Sequence, residues 1–283
     1  MDFNSKQVSD FIERAMSEDI GDGDHSGLAS IDAGTKGTAK LIFKDEGIAA
    51  GLELAEKVLK YSDPDCKIDF FMKDGDRVKY GDIGFEVIGD ARAILKSERL
   101  LLNCMQRLSG IATITAKAVA IISPYQTKIL DTRKTTPNIR FLEKWAVTVG
   151  GGFNHRTGLY DMIMLKDNHN DFAGGITNSI KKTHEYLKKS GKNLKIEVET
   201  RNMEEVKEVL ASGGIDRIML DNFKPSQITE ALIVINKKYE TEASGGITLD
   251  NIKEYAETGV DFISLGMLTH SVKSLDISLK VKI

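Results

Sequence analysis

The sequence predicts an α/β protein, with a small α+β domain over residues 1–112 and a parallel β/α barrel over residues 113–283. Short runs of β-branched and apolar residues recur along the second half, with helical patterns between the later ones. The first third instead places short strand-like runs between Asp- and Gly-rich turns. A strand–helix repeat is typical of a parallel sheet, whereas strands joined by tight turns are typical of an antiparallel one.

The N-terminal third begins with a helix, because apolar residues repeat at helical spacing between Ser5 and Ser17. The Gly/Asp-rich run at residues 18–25 ends that helix. A second, short helix is predicted from Leu54 to Tyr61. The runs with strand composition between these turns are Thr38 to Phe43, Gly47 to Gly51, Cys66 to Lys73, Arg77 to Lys79 and Gly84 to Ile88.

A long helix is predicted from Ile94 to Ile122, with a break or a close packing contact near Gly110. Arg99, Asn103 and Gln106 follow one another at offsets of four and three residues, so they share one face with Gly110. That face either meets solvent or directs Arg99 toward a ligand or a second subunit.

The C-terminal half repeats a strand-then-helix unit. From Arg133 onward the predicted strand ends follow at steps of 33, 33, 22, 23 and 22 residues, with helical patterns such as Asn202 to Ala211 and Pro225 to Asn236. Repeats of this length are those of a parallel β/α array, which closes into a barrel with its chemistry at the carboxyl ends of the strands. The predicted strand ends are Asp131-Thr132-Arg133, Lys166, Glu199, Asp221, Ser244 and Gly266.

Charge is distributed unevenly along the 283 residues. The net charge of −3 is too close to zero for a nucleic-acid-binding surface. No apolar run is long enough for a membrane span, the N-terminus is unlike a signal peptide, and the two Cys are too few to crosslink the chain. We therefore expect a cytoplasmic protein with no membrane or nucleic-acid partner. Residues 128–170 carry +3 and the remainder −6, which predicts a cationic pocket for a small anionic ligand.

Four cations lie at or near the predicted strand ends: Arg133, Lys134, Arg156 and Lys166. A guanidinium grips a carboxylate or phosphate through two parallel hydrogen bonds, and an ammonium supplies a compact charge. Together they predict a site for a dianion, unless some of them are ordinary surface charges. Neither a P-loop nor a GxGxxG motif is present, so the site does not use those nucleotide-binding loops.

Two carboxylates, Glu199 and Asp221, end strands that are one β/α unit apart. Such a pair suits Mg²⁺ carried with a phosphorylated substrate, because Mg²⁺ prefers carboxylate oxygens and keeps its waters. The alternative is a structural network between these acids and the nearby cations. Glu197 lies two residues earlier in the same strand and points the same way as Glu199.

Two glycine-rich segments follow predicted strands. Ser244-Gly245-Gly246 precedes a helix predicted to begin near Leu249, and loops in this position of a barrel bind phosphate through their N–H groups, although the same letters also form ordinary turns. Gly266 ends the next strand and would complete such a site. The glycine run at residues 150–152 costs chain entropy, which indicates close ligand approach or movement.

Seven stretches of the chain resemble the quinolinate phosphoribosyltransferase family, in the family's order and over nearly the whole chain. The segment at 130–169 is highly specific, and two departures from the family pattern, at 27–29 and 192–193, touch no proposed site residue. The stretches are EDIGDGDHS (18–26), SERLLLNCMQRLSGIAT (97–113), LDTRKTTPNIRFLEKWAVTVGGGFNHRTGLYDMIMLKDNH (130–169), IEVE (196–199), LDN (220–222), ASGGIT (243–248) and SLGMLTHS (264–271).

The resemblance implies an enzyme that joins quinolinate to 5-phosphoribosyl-1-pyrophosphate (PRPP) with Mg²⁺ in de novo NAD synthesis, releasing pyrophosphate and CO₂ and giving nicotinate mononucleotide. It implies an N-terminal α/β sandwich and an incomplete α/β barrel of roughly seven strands, with the last residues returning to the N-terminal domain. It further implies a homodimer or higher homo-oligomer, in which the N-terminal part of one subunit covers the barrel mouth of the other.

By position, the resemblance also implies roles for individual residues. Arg99 would reach quinolinate across the dimer. The catalytic residues would be Lys134, Lys166, Glu199 and Asp221, of which the last two would also bind Mg²⁺, directly or through water or ribose. The rest of the quinolinate pocket would be Thr132, Arg133, His155, Arg156 and Lys166. The PRPP site would contain Lys134, Glu199, Asp221, Ser244, Gly245, Gly246, Gly266 and His270.

Two alternatives remain open. A paralogue of the same fold would act on another anionic heterocycle, like the molybdenum-associated relatives of this family, although the intact TRK, NHR and KDNH stretches weigh against it. The second alternative is a carrier module, because the segment DGDRVKYGDIGFEVIGD (74–90) resembles the hairpins of biotinyl and lipoyl carriers. Neither Lys73 nor Lys79 offers the modifiable hairpin-tip lysine that a carrier requires.

Overall fold

The computed structural model describes residues 1–282, which form two compact units. The antiparallel unit comprises residues 1–116, 135–151 and those from 268 onward, and the parallel unit comprises residues 117–134 and 152–267. The antiparallel unit therefore draws on stretches that are far apart in the sequence.

The helices and strands alternate along the chain. The helices are α1 (Lys6–Ile20), α2 (His25–Ser30), α3 (Leu52–Ser62), α4 (Ala91–Ile122), α5 (Arg140–Val149), α6 (Asp167–Ala173), α7 (Ile176–Ser190), α8 (Met203–Ser212), α9 (Pro225–Ile235), α10 (Ile252–Glu257) and α11 (Met267–His270). The strands are β1 (Lys36–Phe43), β2 (Gly47–Ile48), β3 (Lys67–Phe70), β4 (Arg77–Val78), β5 (Ile83–Asp90), β6 (Lys128–Leu130), β7 (Ile163–Leu165), β8 (Ile196–Thr200), β9 (Arg217–Asp221), β10 (Glu240–Ser244), β11 (Phe262–Ser264) and β12 (Ile277–Val281).

The antiparallel unit is built on a four-stranded sheet in the order β12-β1-β5-β3. Strand β1 pairs antiparallel with β5 and with β12, so that Leu41 lies opposite both Phe85 and Leu279. Every second residue of β1 from Ala39 to Phe43 is buried, as a half-buried sheet requires. The sheet thus joins residues near the start of the sequence to residues 277–281.

Helix α4 runs through Gly110 without a break, so the sequence signal there marks close packing. A Cβ on Gly110 would collide with the Lys273 carbonyl oxygen. The residues predicted to share one face of α4 accordingly differ in their surroundings. Arg99 and Asn103 are exposed, whereas Gln106 donates a hydrogen bond to the Ile277 carbonyl at 2.8 Å.

An ion pair between a buried glutamate and a partly exposed arginine lies between α4 and α5 in the antiparallel unit. Arg107 Nε donates to Glu143 Oε1 at 2.6 Å, and the Glu143 side chain is fully buried. The other carboxylate oxygen, Oε2, accepts the Thr136 N–H at 3.0 Å. A second Arg107 nitrogen donates to Thr136 Oγ1 at 3.0 Å and to the Thr269 carbonyl at 2.8 Å. This network fixes the backbone at Thr136 and Thr269.

The parallel unit is built on a six-stranded sheet in the order β6-β11-β10-β9-β8-β7, and all five neighbouring pairs are parallel. Its outer strands β6 and β7 do not pair with each other within the described residues, so the barrel is incomplete, as predicted. Among the described residues this sheet has six strands, where about seven were predicted. Phe153, directly after the Gly150–Gly152 run, adds an isolated parallel bridge to Leu130.

The predicted strand ends lie where the strands of the parallel unit end. Asp221 and Ser244 are the last residues of β9 and β10, and Lys166 directly follows β7. Glu199 is the next-to-last residue of β8, and Gly266 follows β11 after one residue. Among residues 1–282, none of the helices combines the length and the hydropathy needed to cross a bilayer.

Candidate active site

The carboxyl ends of β7 and β8 bring a cation and an acid together. Lys166 Nζ lies 3.2 Å from Glu199 Oε2, and the Asp167 N–H donates to Glu199 Oε1 at 3.4 Å. Glu199 is 7% exposed, whereas Lys166 is exposed. Parallel strands place their carboxyl ends along one edge, which is why residues 33 positions apart in the sequence meet here. The ion pair neutralises Glu199 when no ligand is bound.

Asp221 adds a second carboxylate at the neighbouring strand end. Burial and then the charge of Glu199 raise the pKa of Asp221, against a hydrogen bond from Ser244 that lowers it. Asn222 Nδ2 also donates to Asp221 Oδ2 at 2.6 Å. Two acids that disfavour each other's ionisation are stabilised by a shared cation. Their oxygen donors are of the type that Mg²⁺ prefers, so this pair of side chains fits the metal that the sequence predicts.

The loop after β10 presents backbone in a left-handed conformation. Gly245 and Gly246 have φ angles of +92° and +63°, which favour glycine. A Cβ on Gly245 would collide with Asn222, whose own N–H donates to the Ser244 carbonyl at 2.8 Å. The turn is therefore held in place by Asn222. A Cβ on Gly246 would meet only open space. This geometry leaves room for a phosphate at the loop.

The helix after this loop begins later than predicted. Helix α10 starts at Ile252 rather than near Leu249, because Asn251 Oδ1 accepts the Thr248 N–H at 2.8 Å and Asn251 Nδ2 donates to the Gly246 carbonyl at 3.2 Å. These bonds hold residues 248–251 in a turn. A phosphate at this loop would consequently bind loop N–H groups rather than a helix N-terminus.

Two guanidinium groups lie close together beyond β6. Burial and then the charge of Arg133 lower the pKa of Arg156. Arg156 Nη1 donates to the Met162 carbonyl at 3.3 Å, and the Lys134 N–H donates to Thr132 Oγ1 at 3.0 Å. Two neighbouring like charges, one of them desolvated, are unfavourable unless an anion joins them. The predicted cations Arg133 and Arg156 are therefore suited to share an anionic ligand.

His155 lies deeper than the other predicted residues and is 8% exposed. Its backbone N–H donates to Asp131 Oδ1 at 2.8 Å. Its ring nitrogen Nδ1 accepts the Arg156 N–H at 2.6 Å. The other ring nitrogen, Nε2, lies 2.9 Å from Glu197 Oε2 and 3.4 Å from Glu242 Oε2. The His155 ring is therefore directed at the buried carboxylates of β8 and β10.

The side chains below the strand ends form a buried charge cluster, which we define as His155, Glu197, Arg217 and Glu242. Arg217 Nη1 donates to Glu242 Oε2 at 2.9 Å, and both acids are fully buried. Burial opposes protonation of His155, yet the two carboxylates raise its pKa to about 9. Burial and the charge of Glu242 raise the pKa of Glu197 to about 7. The cluster therefore retains a proton at neutral pH.

Sequence reasoning missed Arg217 and Glu242 and ranked Glu197 below Glu199. A signal was present, because side chains two and four residues apart in a strand point to the same side. Glu242 precedes Ser244 by two residues, and Arg217 precedes Asp221 by four. Both therefore extend the predicted site toward the amino ends of its strands.

Two predicted site residues belong to the antiparallel unit. Arg99 is exposed on α4, as described above. His270 ends α11, and its Nδ1 lies 2.6 Å from Ser271 Oγ. Gly150, in the glycine run predicted to approach a ligand, instead packs against α4, since a Cβ there would collide with the Ala112 carbonyl. Packing explains this glycine without a ligand.

Sequence comparisons extend the match over the whole chain. The model of the family "Quinolinate phosphoribosyl transferase, C-terminal domain" matches residues 111–280, and the corresponding N-terminal domain matches residues 24–109. A protein of Oryza sativa subsp. japonica named "Nicotinate-nucleotide pyrophosphorylase [carboxylating], chloroplastic" is 48% identical over 95% of this chain and 76% of its own length. A Bacillus subtilis protein named "Probable nicotinate-nucleotide pyrophosphorylase [carboxylating]" is 44% identical over 98% of this chain and 94% of its own.

A solved structure shows the same architecture. The crystal structure of NadC from Streptococcus pyogenes superposes with a TM-score of 0.94 and 38% sequence identity. The superposition covers 100% of this chain and 99% of that one.

Proposed function

The chain belongs to the quinolinate phosphoribosyltransferase family, and we propose that its reaction takes place at the carboxyl ends of the strands of the parallel unit. It is a phosphoribosyltransferase of de novo NAD biosynthesis. It transfers the phosphoribosyl group of PRPP to quinolinate, with loss of CO₂ and pyrophosphate, and gives nicotinate mononucleotide.

The observation that carries the site assignment is that Arg133 lies near enough to Arg156 for its charge to lower the pKa of that guanidinium. Quinolinate has carboxylates on adjacent ring atoms, so it presents two negative charges within a few ångströms of each other. Neighbouring guanidinium groups match such a dianion through parallel hydrogen bonds. Burial and the charge of Arg133 both lower the pKa of Arg156. The negative charges of a bound dianion would offset these two effects. Thr132 and Lys166 complete the proposed quinolinate pocket.

PRPP would occupy the neighbouring strand ends. The left-handed turn at Gly245 and Gly246 leaves space for a phosphate, with Ser244 and Gly266 beside it in sequence or on the next strand. Glu199 and Asp221 would hold the ribose hydroxyls or metal-bound waters. Lys134 and Lys166 would neutralise the pyrophosphate as it leaves.

Mg²⁺ is the proposed cofactor. When bound, it would neutralise charge on the phosphates of PRPP. Glu199 and Asp221 are the residues that would hold it, since they are adjacent carboxylates whose mutual repulsion a cation relieves. Binding of PRPP with its cation would free Lys166 from its pairing with Glu199.

The chemistry then requires no protein nucleophile. The ribosyl C1 bond to pyrophosphate loosens into an oxocarbenium-like state, and the quinolinate ring nitrogen attacks C1. The protein contributes by holding the two substrates in line and by placing cations where negative charge develops. The ring nitrogen is cationic after the transfer, so its positive charge stabilises the electron pair that remains on C2 when CO₂ leaves, and C2 then takes up a proton.

An acceptor comparison tests this function. With quinolinate, PRPP and Mg²⁺, the protein should release pyrophosphate and CO₂ and form nicotinate mononucleotide, measured by chromatography. Nicotinate, which lacks the second carboxylate, should give no product because it cannot engage both guanidinium groups. Turnover of another anionic heterocycle in place of quinolinate would support the paralogue and contradict our proposal.

Arg133→Ala tests the pocket assignment. We expect the KM for quinolinate to rise about a hundredfold, because one half of the bidentate dianion site is lost, while calorimetry still detects PRPP binding. The exposed cation Lys237, on the α9–β10 connection, provides the control variant Lys237→Ala, which should behave as wild type. An unchanged quinolinate affinity in Arg133→Ala would contradict the assignment.

We further propose that the protein is a cytoplasmic homodimer and that the partner subunit's Arg99 completes each quinolinate pocket. Exposure of Arg99 on α4 is consistent with this role. Arg99→Ala and Lys166→Ala should each be inactive alone. Because a mixed dimer has one site with neither substitution, co-refolding the two variants should restore about a quarter of the activity. No restoration would show that Arg99 acts within its own subunit.

A further inference from the structure

Both ring nitrogens of His155 are directed at protein groups. Nδ1 accepts the backbone N–H of Arg156 at 2.6 Å, and Nε2 lies within 3.4 Å of both Glu197 and Glu242. The His155 side chain is 4% exposed. With Nδ1 accepting a backbone N–H and Nε2 at ion-pair distance from two buried carboxylates, the ring is directed at protein groups on both edges. This arrangement favours a positioning role for His155 over the direct quinolinate contact that the resemblance implies.

The acids that face His155 come from alternate strands of the parallel sheet. Glu197 on β8 is the Cα partner of Arg217 on β9, and Arg217 is the Cα partner of Glu240 on β10. Glu242 lies two residues further along β10, on the same side as Glu240 and Ser244. The loop between α5 and β7 supplies His155, whose backbone N–H is held by the Asp131 side chain. The cluster is thus assembled from four separate segments, three of which are paired strands.

The cluster is balanced by its own charges. Arg217 pairs with Glu242 and stacks over the Phe262 ring at 4.0 Å, which leaves Glu197 and His155 to share the remaining charge. His155, Glu197 and Glu242 also offer ligand atoms within 4.8 Å of one another. A divalent cation there would add charge beside Arg217, which already neutralises Glu242. Electrostatics therefore favour an ion cluster over a metal centre.

We infer that Glu197 and Glu242 are positioning residues that act through His155 to hold the Arg156 backbone, and with it the guanidinium that binds the anionic substrate. The connection is short, because the Arg156 N–H bonds directly to the His155 ring whose other edge the two acids hold. The inference rests on the proposed role of Arg156 in quinolinate binding. It assigns Arg217 to the same cluster as the partner of Glu242.

Glu242→Gln and Glu197→Gln test the inference, since glutamine keeps the shape and removes the charge. In each variant the KM for quinolinate should rise about tenfold, the scale of coupling between residues in contact. The KM for PRPP and kcat should stay at their wild-type values. A merely structural role would lower the amount of active protein without this split. Glu240→Gln is the matched control, because exposed Glu240 also pairs with Arg217 but does not touch His155.

A double-mutant cycle separates positioning from direct contact. If the acids act through His155, His155→Gln should raise the quinolinate KM as much as Glu242→Gln does, and the double variant should be no worse than either. Additive effects would overturn the inference, as would an equal rise in both KM values. Stoichiometric zinc or another divalent metal in the purified protein, lost in His155→Gln, would also overturn it in favour of a metal centre.

Two further measurements keep the result interpretable. Circular dichroism melts identify any variant that fails to fold. Glu197→Gln remains usable if Glu242→Gln fails, because within the described residues Glu242 forms an ion pair with Arg217 and Glu197 does not. Wild-type protein without quinolinate-dependent pyrophosphate release would defeat the proposed function. Active wild type with unaltered kinetics in all the glutamine variants would defeat only the positioning inference.

Discussion

Each unit buries a glutamate completely, and the two glutamates differ in how their oxygens are satisfied. In the antiparallel unit, Glu143 Oε1 accepts from Arg107 and Oε2 accepts the Thr136 N–H. In the parallel unit, neither oxygen of Glu197 has a hydrogen-bond partner among the described residues. His155 Nε2 and Glu242 Oε1 are likewise without one, although Nε2 lies at ion-pair distance from both acids.

This difference distinguishes the network around Glu143, which serves the structure, from the cluster around Glu197, which serves a site. A buried acid with both oxygens bonded holds its neighbours in one arrangement. A buried acid held only by charge is costly, and such a group persists in a fold when it serves something other than stability. Removing the charge of Glu143 should therefore lower stability. Removing the charge of Glu197 should instead weaken substrate binding with little effect on stability.

The largest effect expected is on stability, in Glu143→Gln. The substitution takes a charged hydrogen-bond acceptor away from Arg107, which is 28% exposed, and from the Thr136 N–H, so we expect a loss of about 3 kcal/mol. Urea denaturation should show this loss. Asp10→Asn, which breaks the exposed Lys6–Asp10 pair, should cost about 0.5 kcal/mol or less. If the two variants were equally stable, Glu143 would not hold the antiparallel unit together.

A smaller effect is expected from pH, through His155. Its pKa is raised from 6.5 to about 9 in the folded protein, so its stabilising contribution is complete below pH 6.5 and is lost as the pH rises to about 9. The free energy of unfolding should fall by about 1–3 kcal/mol over that range. The fall should be absent in the double variant His155→Gln/Glu197→Gln, because Glu197, whose pKa is raised to about 7, would otherwise titrate in the same range. Urea denaturation at several pH values measures it. The same slope in both proteins would place the titrating group elsewhere.

The smallest effect on stability is expected in Glu197→Gln. The amide keeps the shape of the side chain, breaks no hydrogen bond and removes one of two neighbouring like charges, so the change should stay within about 1 kcal/mol. Parallel melts of this variant and Glu143→Gln provide the comparison. Equal losses in the two would mean that both clusters are structural.

Much of this fold could be predicted from the sequence because its signals are local. Apolar spacing located α1 and α4, and β-branched runs at regular steps located the strands of the parallel unit. Strand pairing between distant segments leaves no local signal. The pairing of β1 with β12 and the inclusion of α5 in the antiparallel unit depend on such contacts.

The candidate site could be predicted in part, for a related reason. Polar residues at strand ends stand out, so Lys166, Glu199 and Asp221 were found directly. Arg217 and Glu242 lie at the start and in the middle of their strands, where a charge is typical of an exposed face. Their burial depends on which side of the sheet becomes the interior of the barrel. Barrel interiors are usually apolar, so a buried ion cluster is the less expected arrangement.

The pairing of β1 with β12 also has a consequence for synthesis on the ribosome. Strand β1 is translated early, and its partner at residues 277–281 follows only after the whole parallel unit. At ordinary elongation rates the interval is roughly 10–50 s. During that time one edge of β1 is unpaired in the nascent chain and open to association with other strands. Folding of the antiparallel sheet is therefore completed late, and the growing chain is a candidate for chaperone binding until then.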